Sequence, residues 1–439
     1  MAGQKLCMET DFIVIGSGAG GATVARELAL RKKQVIIIER GGWPVPMPKP
    51  GFDSSMEVAA SLPLWKTIHS KMRSRLNRDR KTHIHRRVAV GGTTTKAHAN
   101  MVPCLEAEFD RKGIDLGNDF RELERELKIA PFNPSFMQEG ARRILEAGLS
   151  EGIHFDRMPK CIDFNKCSAC YLCTDVCPKD AKWTAINFLR EAEYQGARII
   201  AGFEVQRIVV SNGHACGVTG FYQGRPAMIK SKVVVLAAGA LATPSLLQST
   251  GVSSAGRELF CDPSFVVYGP VEGKDFIGDV TSSLFCADRV QGEGFSLMNC
   301  LMAEPTSHTT AMVGSGKTLL GVMIKVKDDM RGRVIADGIY HKFLTSNDVK
   351  KLEAGSALAE KILRAAGVKP HALQRINIGA YHPGGTAAMF KVVDRDQESS
   401  IRNLFVADAS VLPAAPGLPP MLTIMALSRR LARNLAQLV

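Results

Sequence analysis

Apolar residues along this chain fall into two rhythms. Short unbroken runs, Phe12-Ile13-Val14-Ile15, Val35-Ile36-Ile37-Ile38, Val233-Val234-Val235-Leu236 and Leu404-Phe405-Val406, have the length and β-branched content of strands buried on both faces of a parallel sheet. Apolar positions at helical spacing alternate with them. Val24, Leu28 and Leu30 stand among polar Arg26, Glu27 and Arg31; residues 182–197 form an amphipathic helix; Leu422 to Val439 form a last helix that is amphipathic and basic. Residues 54–80 read as helical and basic, and residues 101–155 as mostly helical. Residues 198–236 read as strands joined by tight turns at Asn212-Gly213 and Gln223-Gly224. Val88 to Thr95 reads as a short strand entering a Gly-Thr turn. The run at 233–236 passes through small residues, Ala237 to Pro244, into a helix at Ser245–Ser249. Between 258 and 345 the strand–glycine–helix rhythm stops. Short strands separated by Gly, Asp and Ser there, with part of 346–377, predict an antiparallel sheet. The fold class is α/β, a Rossmann-like domain with a smaller α+β domain beside it.

The first two strands and the helix between them carry G-x-G-x-x-G at Gly16, Gly18 and Gly21, with Ala19 and Gly20 inside it. In such a unit the first glycine permits a tight turn, the second lets backbone approach a pyrophosphate, and the third lets helix pack on strand. The helix N-terminus then offers free N–H groups to phosphate. Glu39, at the end of the second strand, is placed to accept hydrogen bonds from ribose hydroxyls. Strand, helix and acid together make the match specific for a dinucleotide, without separating FAD from NAD. Gly314-Ser315-Gly316-Lys317-Thr318 imitates a phosphate loop, but Ala311 stands where that motif needs glycine.

Composition adds limits. With 439 residues, 45% hydrophobic and 23% charged, the chain has a globular composition with room for two packed domains. The net charge of +13 is spread along the chain, with local density at Lys71–Arg87 and in the last helix. This reads as a solvated surface and not as a nucleic-acid site; an acidic electron carrier is a candidate protein partner. No run has the length of a transmembrane helix and no secretory signal precedes the first strand, so a cytoplasmic location is expected, with peripheral membrane contact by the last helix as an option.

Four of the eleven cysteines, Cys167, Cys170, Cys173 and Cys177, form C-x2-C-x2-C-x3-C before Pro178. This is the ferredoxin run for a 4Fe-4S cluster. Either Cys177 or a remote cysteine (Cys161, Cys104, Cys261, Cys286 or Cys300) is then the fourth ligand.

Several stretches together resemble the glucose–methanol–choline (GMC) oxidoreductase family: the GSGAGG unit, Gly91-Gly92-Thr93-Thr94, Gly239-Ala240-Leu241-Ala242-Thr243-Pro244, His382-Pro383-Gly384-Gly385-Thr386, and Val406-Ala407-Asp408-Ala409-Ser410 with the last helix. The resemblance implies FAD, bound by a domain assembled from discontinuous segments. Residues 1–257, with an Fe-S loop at 161–180, and 378–439 make that domain, and 258–377 the substrate domain. The cofactor-binding residues are Gly16, Gly18, Ala19, Gly20, Gly21, Glu39, Arg40, Gly91, Gly92, Thr93, Thr94, Ala240 and Asp408. His382 matches the histidine that takes the proton of a substrate hydroxyl. Two departures stand out. Pro419 occupies the place of the second His or Asn, so His98, Lys96 or Tyr381 is a candidate substitute. Lys96 occupies the place of a flavin-linking histidine, so FAD is expected to be non-covalent. The expected activity is oxidation of a small alcohol- or carbonyl-type substrate, with electrons leaving through the cluster to a non-oxygen acceptor. The alternatives are a reductase of C=C or C=O bonds fed by a low-potential donor, and a silent electron-transfer subunit.

Overall fold

The computed structural model describes residues 6–44, 56–58, 60–61, 82–170, 173, 176–276, 278–303 and 318–439. Its first sheet has seven strands. Leu6–Ile15 lies at the centre, between Arg225–Leu236 on one side and Val35–Glu39 on the other, all parallel; Arg198–Ala201 extends the second side. Phe12 pairs with both Val35 and Val233, so the unbroken apolar runs meet in register. Phe12, Ile13, Val14, Val234, Val235 and Leu236 are fully buried. That burial on both faces is why these strands show no polar alternation. Leu404–Val406 returns late in the chain to pair in parallel with Val234–Leu236.

Phe203–Ser211, His214–Tyr222 and Arg225–Leu236 form an antiparallel meander. Its turns fall at Asn212-Gly213 and Gln223-Gly224, where both central residues have positive φ. That geometry suits the twist of a two-residue hairpin. The crossover helix Ala19–Leu30 packs against the terminal helix Met421–Leu435 and against Ala185–Tyr194.

The second sheet has six strands, all antiparallel. Its central members Pro263–Gly269, Thr318–Val326 and Phe295–Ala303 are flanked by Gln374–Ala380 and by Leu284–Cys286 with Asp156–Arg157. Leu297, Val322 and Ile324 on one face join a core with Leu352 and Ala359 of the 20-residue helix Ser346–Ala365. Thr345 starts that helix with a capping box: its hydroxyl accepts from the Asp348 N–H, and the Asp348 carboxylate accepts from the Thr345 N–H. The chain is therefore a Rossmann-like domain with a smaller α+β domain, as its patterning predicts, and the first is assembled from discontinuous segments, as the family resemblance implies.

Three local expectations change. Met56–Val58 and Ala60–Ser61 are strands, not helix, because Met56–Val58 pairs with His85–Arg87. The rest of the expected helix at 54–80, and Gly314 to Lys317, lie outside the described residues. The strand expected at 88–95 ends at Arg87, and Gly92–Thr95 is a turn of 3-10 helix.

Candidate active site

The glycine-rich turn is shaped by three close backbone approaches. Gly16 leaves its strand at φ +100°, and a Cβ there would stand 2.3 Å from the Ala237 carbonyl oxygen. A Cβ on Gly20 would stand 1.8 Å from the Ala407 oxygen, and one on Gly21 2.0 Å from the Gly16 oxygen. Gly18 differs: a Cβ there meets nothing within 4 Å. The cradle is thus packed tightly on the protein side and open above Gly18, as close approach of a pyrophosphate requires.

Glu39 accepts hydrogen bonds from the Ser17 hydroxyl (2.7 Å), the Ser17 N–H (3.2 Å) and the Gly41 N–H (2.8 Å). Burial pushes its carboxyl up, and these donors pull it back toward the ionised form. The Ser17 hydroxyl also accepts from the Gly91 N–H at 3.0 Å. Ser17, a buried residue that sequence reasoning passed over, ties the first turn to the Gly91-Gly92 turn. Gly92 packs close against the Gly18 backbone: a Cβ on Gly92 would come within 3.2 Å of the Gly18 Cα, whereas the direction of a Cβ on Gly18 itself stays open. The hydroxyls of Thr93 and Thr94 serve the turn itself. Thr93 accepts from the Arg87 N–H at 3.3 Å; Thr94 donates to the Gly91 carbonyl at 2.6 Å and accepts from the Ala185 N–H at 2.9 Å. Asp408 fastens the second small-residue turn, accepting from the Gly239 N–H (2.9 Å), the Thr243 hydroxyl (2.5 Å) and the Ser410 N–H (2.8 Å). The Ala240 carbonyl accepts from Thr386 at 2.8 Å, and Arg40 pairs with Asp337 at 2.7 Å.

All these turns open on one cavity of about 1390 Å³. Most small-molecule pockets hold ~300–1,000 Å³, so there is room for a dinucleotide and a substrate together. The far wall is the open face of the second sheet. Met298, Cys300 and Met302 alternate along one strand, and Met323 and Lys325 along its neighbour. This wall is largely apolar, with Lys325, Ser264 and Thr318 as its polar members. His382, two residues beyond the second-sheet strand Gln374–Ala380, lines the same cavity, as do Pro419, Pro420 and the start of the terminal helix. Burial drives its imidazole well below its ordinary range, with Lys325 adding to the effect, so His382 stays neutral.

Of the candidate substitutes for the missing polar group at Pro419, Lys96, His98 and Tyr381 all line the cavity. Tyr381 stacks on His85 with centroids 4.8 Å apart, and burial lowers His98 to about 3. Two further charged residues stand beside His382 without any motif to announce them. Lys325 is buried and donates to Ser264 at 3.1 Å. Asp262 is fully buried, with Oδ2 3.7 Å from His382 Nδ1.

The cysteine run does not form a metal centre. Among the described residues no group of three or more His, Cys, Asp or Glu is placed to hold a metal ion. Cys167, Cys170, Cys173 and Cys177 are free, Cys170 exposed and the other three half-buried. Turns at Asp163–Cys167 and Cys177–Asp180 hold the ends of the segment, while Lys182 grips the Cys173 carbonyl at 2.7 Å. The spacing allows four thiols to converge but does not compel it. The remote candidates are engaged elsewhere: Cys161 donates to the Leu127 carbonyl, Cys104 contacts Thr423, and Cys261, Cys286 and Cys300 lie in or beside the substrate sheet. The expected 4Fe-4S cluster is therefore overturned. So are the electron exit through it and the cluster-fed reductase and electron-transfer alternatives.

The basic face of the terminal helix is already matched by this chain's own acids. Arg429 pairs with Glu126 at 2.9 Å and Glu27 at 3.3 Å, and Arg433 with Asp119 and Glu122. Arg26 of the crossover helix joins Glu126 and Glu191. No helix among the described residues is long and apolar enough to cross a membrane.

Comparison with known proteins agrees with this architecture. The chain is 28% identical over 437 residues to an uncharacterized protein of Methanocaldococcus jannaschii, covering 97% of this chain and 99% of that one. It is 23% identical over 522 residues to a long-chain-alcohol oxidase of Arabidopsis thaliana, covering 98% and 67%. Among solved structures, a formate oxidase superposes with a TM-score of 0.75 at 15% identity, covering 99% of both chains. Pyridoxine 4-oxidase from Mesorbium loti gives 0.72 at 16%, covering 97% and 99%. At such identities the likeness is one of fold. The Arabidopsis relative and the two solved structures are oxidases by name, and with the cluster gone the expectation of a non-oxygen acceptor is withdrawn. Two family profiles described as GMC oxidoreductase match residues 10–264 and 327–428, and the chain belongs to that family.

Proposed function

We propose that this chain is an FAD-dependent oxidase of apolar primary alcohols, with His382 as the base. The observation that carries the reading is the single cavity joining the Gly16–Gly21 cradle, His382 and the methionine wall. The open space over Gly18, the Ser17–Glu39 lock and the Asp408-fastened turn fit a dinucleotide held by backbone. Gly16, Gly18, Ala19, Gly20, Gly21, Glu39, Arg40, Gly91, Gly92, Thr93, Thr94, Ala240 and Asp408 build that cradle in this reading. In the same reading residues 1–257 and 378–439 make the cofactor domain and 258–377 the substrate domain, with Asp156–Arg157 crossing over to pair in the substrate sheet. Bound FAD supplies the two-electron hydride acceptor.

The chain's own residues do the rest. The carbinol hydroxyl points at the cavity edge of His382, and its proton passes to the free ring nitrogen as the C–H hydride leaves. A neutral imidazole suits that task, because a protonated one has no lone pair to offer. Met298, Met302 and Met323 receive the alkyl chain. Methionine is flexible and polarizable, so such a wall adapts to a chain without fixed shape. The name of the Arabidopsis relative points to the same substrate class.

The test is dioxygen uptake by FAD-loaded protein with straight-chain primary alcohols from butanol to hexadecanol, with pyridoxine, glucose and formate as polar controls. Rates rising with chain length, and loss of turnover in His382→Ala with flavin content kept, are expected. Full turnover in His382→Ala refutes the base; preference for the polar controls refutes the substrate class.

A further inference from the structure

We propose that Asp262 is the positioning residue of His382, holding its Nδ1–H so that the other ring nitrogen stays free to take the substrate proton. The inference rests on the base role of His382 proposed above.

Three observations, independent of one another, carry it. First, Asp262 Oδ2 and His382 Nδ1 face each other at 3.7 Å, and both are buried with no other hydrogen-bond partner among the described residues. Two orphaned polar atoms side by side in a protein interior are costly unless they serve each other. A shift of about 0.7 Å brings them to hydrogen-bond distance, and such bonds commonly tighten only when substrate is bound.

Second, the backbone of Asp262 is held where few residues go. Its φ is +47°, in the left-handed region, although it is not glycine and precedes Pro263. A residue before proline is ordinarily extended, and strain of this kind survives only where the surroundings enforce it. They do. The Asp262 N–H donates to Asp328 at 2.9 Å, and its carbonyl accepts from Lys325 at 3.3 Å.

Third, the other carboxylate oxygen, Oδ1, accepts from the Gly417 N–H at 3.1 Å. Gly417 begins the loop in which Pro419 replaces the polar residue expected by family resemblance. The carboxylate therefore bridges the base and that loop from behind, on the side away from the cavity.

The ring has one proton to place when neutral. A carboxylate at Nδ1 accepts a hydrogen bond, so the proton sits on Nδ1 and the cavity-facing nitrogen carries a lone pair. A protonated carboxyl, or an amide, can donate to Nδ1 and drive the proton to the cavity side, where it blocks catalysis. Burial raises Asp262 to about 7, so this exchange falls within reach of ordinary buffers. The titratable and charged groups around the pair are Lys325, Lys327 and Lys342, with Asp328, Cys261 and Cys104.

Asp262→Asn keeps the shape, and asparagine tolerates left-handed backbone. In nitrogen-15 histidine spectra, with the His382 signal assigned by its loss in His382→Ala, the wild type above pH 7 should show the Nδ1–H form and Asp262→Asn the other tautomer. In turnover, kcat should fall by about 10²–10⁴-fold with KM nearly unchanged. The rise of kcat with pH near 7 in the wild type should vanish in the variant. An unchanged tautomer in Asp262→Asn, or the cavity-side N–H form in the wild type above pH 7, overturns the proposal. The tautomer readout needs no substrate. If His382→Ala retains turnover, the base assignment falls; if it loses turnover while Asp262→Asn keeps tautomer and rate, only the role of Asp262 falls.

Discussion

Gly18 and Gly20 sit two residues apart in one turn, yet an added methyl group should act on them in opposite ways. At Gly20 the new Cβ would lie 1.8 Å from the Ala407 oxygen and 2.8 Å from its carbonyl carbon. Real Cβ contacts to backbone essentially never fall under 3.0 Å, so helix and strand must part by more than 1 Å. Inserting a methylene into a packed core costs about 1–3 kcal/mol when side chains can yield. Here the obstacle is main chain joined to Leu404–Val406, so Gly20→Ala should cost about 3 kcal/mol or more. At Gly18 the backbone is extended (φ −69°, ψ −170°) and the Cβ meets nothing. Flavin-free Gly18→Ala should match the wild type to about 0.5 kcal/mol. Its methyl group stands where the pyrophosphate would come closest. Losing one or two charge-assisted N–H contacts of about 1.5–3 kcal/mol each weakens FAD by roughly 10- to 10³-fold or more. The assay is thermal melting of flavin-stripped protein beside FAD titration followed by fluorescence. A stable Gly20→Ala, or a Gly18→Ala that binds FAD like the wild type, would refute this account of the turn.

Other outcomes follow from the same geometry. Lys342 and Asp328 form a 2.6 Å ion pair with both side chains fully buried; Lys342→Met strands a buried carboxylate and should cost about 3–5 kcal/mol by chemical denaturation. Asp262, raised from 3.8 to about 7, holds its proton more tightly in the folded chain. Its stabilising contribution is complete below about pH 4 and is lost as pH rises to about 7, so melting of Asp262→Asn should gain on the wild type across that interval; a constant difference would contradict it. Met298→Lys sets an ammonium against the apolar wall and should raise KM for hexadecanol more than tenfold while sparing butanol, read from initial rates. Acid precipitation should leave FAD in the supernatant, because Lys96 replaces the residue that links flavin covalently in some relatives.

Much of the cofactor domain was legible in the sequence because its strands are buried on both faces. Unbroken runs such as 12–15 and 233–236 have few other fates, and Asn212-Gly213 and Gln223-Gly224 announce their turns by conformation alone. The helix Ser346–Ala365 was missed although Thr345 and Asp348 spelled its cap, because the short strands before it set the expectation for what followed. Met56–Val58 looked helical in a basic stretch; its strand identity comes from a partner at 85–87 that no local pattern names. The cysteine spacing misled for a related reason: spacing limits where thiols can go, and the surrounding turns decide where they do go. Asp262 was invisible because nothing local links it to His382. Only the antiparallel pairing of Pro263–Gly269 with Gln374–Ala380, in which Pro263 faces Ala380, brings them together.

The terminal helix has a further bearing on how the protein is made. The glycine-rich unit leaves the ribosome hundreds of residues before the wall that completes its cavity, Pro419 to Ile424, and the neighbouring strand Leu404–Val406. Arg429 and Arg433 then clamp that helix onto acids synthesised hundreds of residues earlier. In the proposed reading, FAD capture is therefore expected to wait for residues 404–424. Nascent chains arrested before residue 404 should emerge without flavin, however much FAD the translation mixture contains.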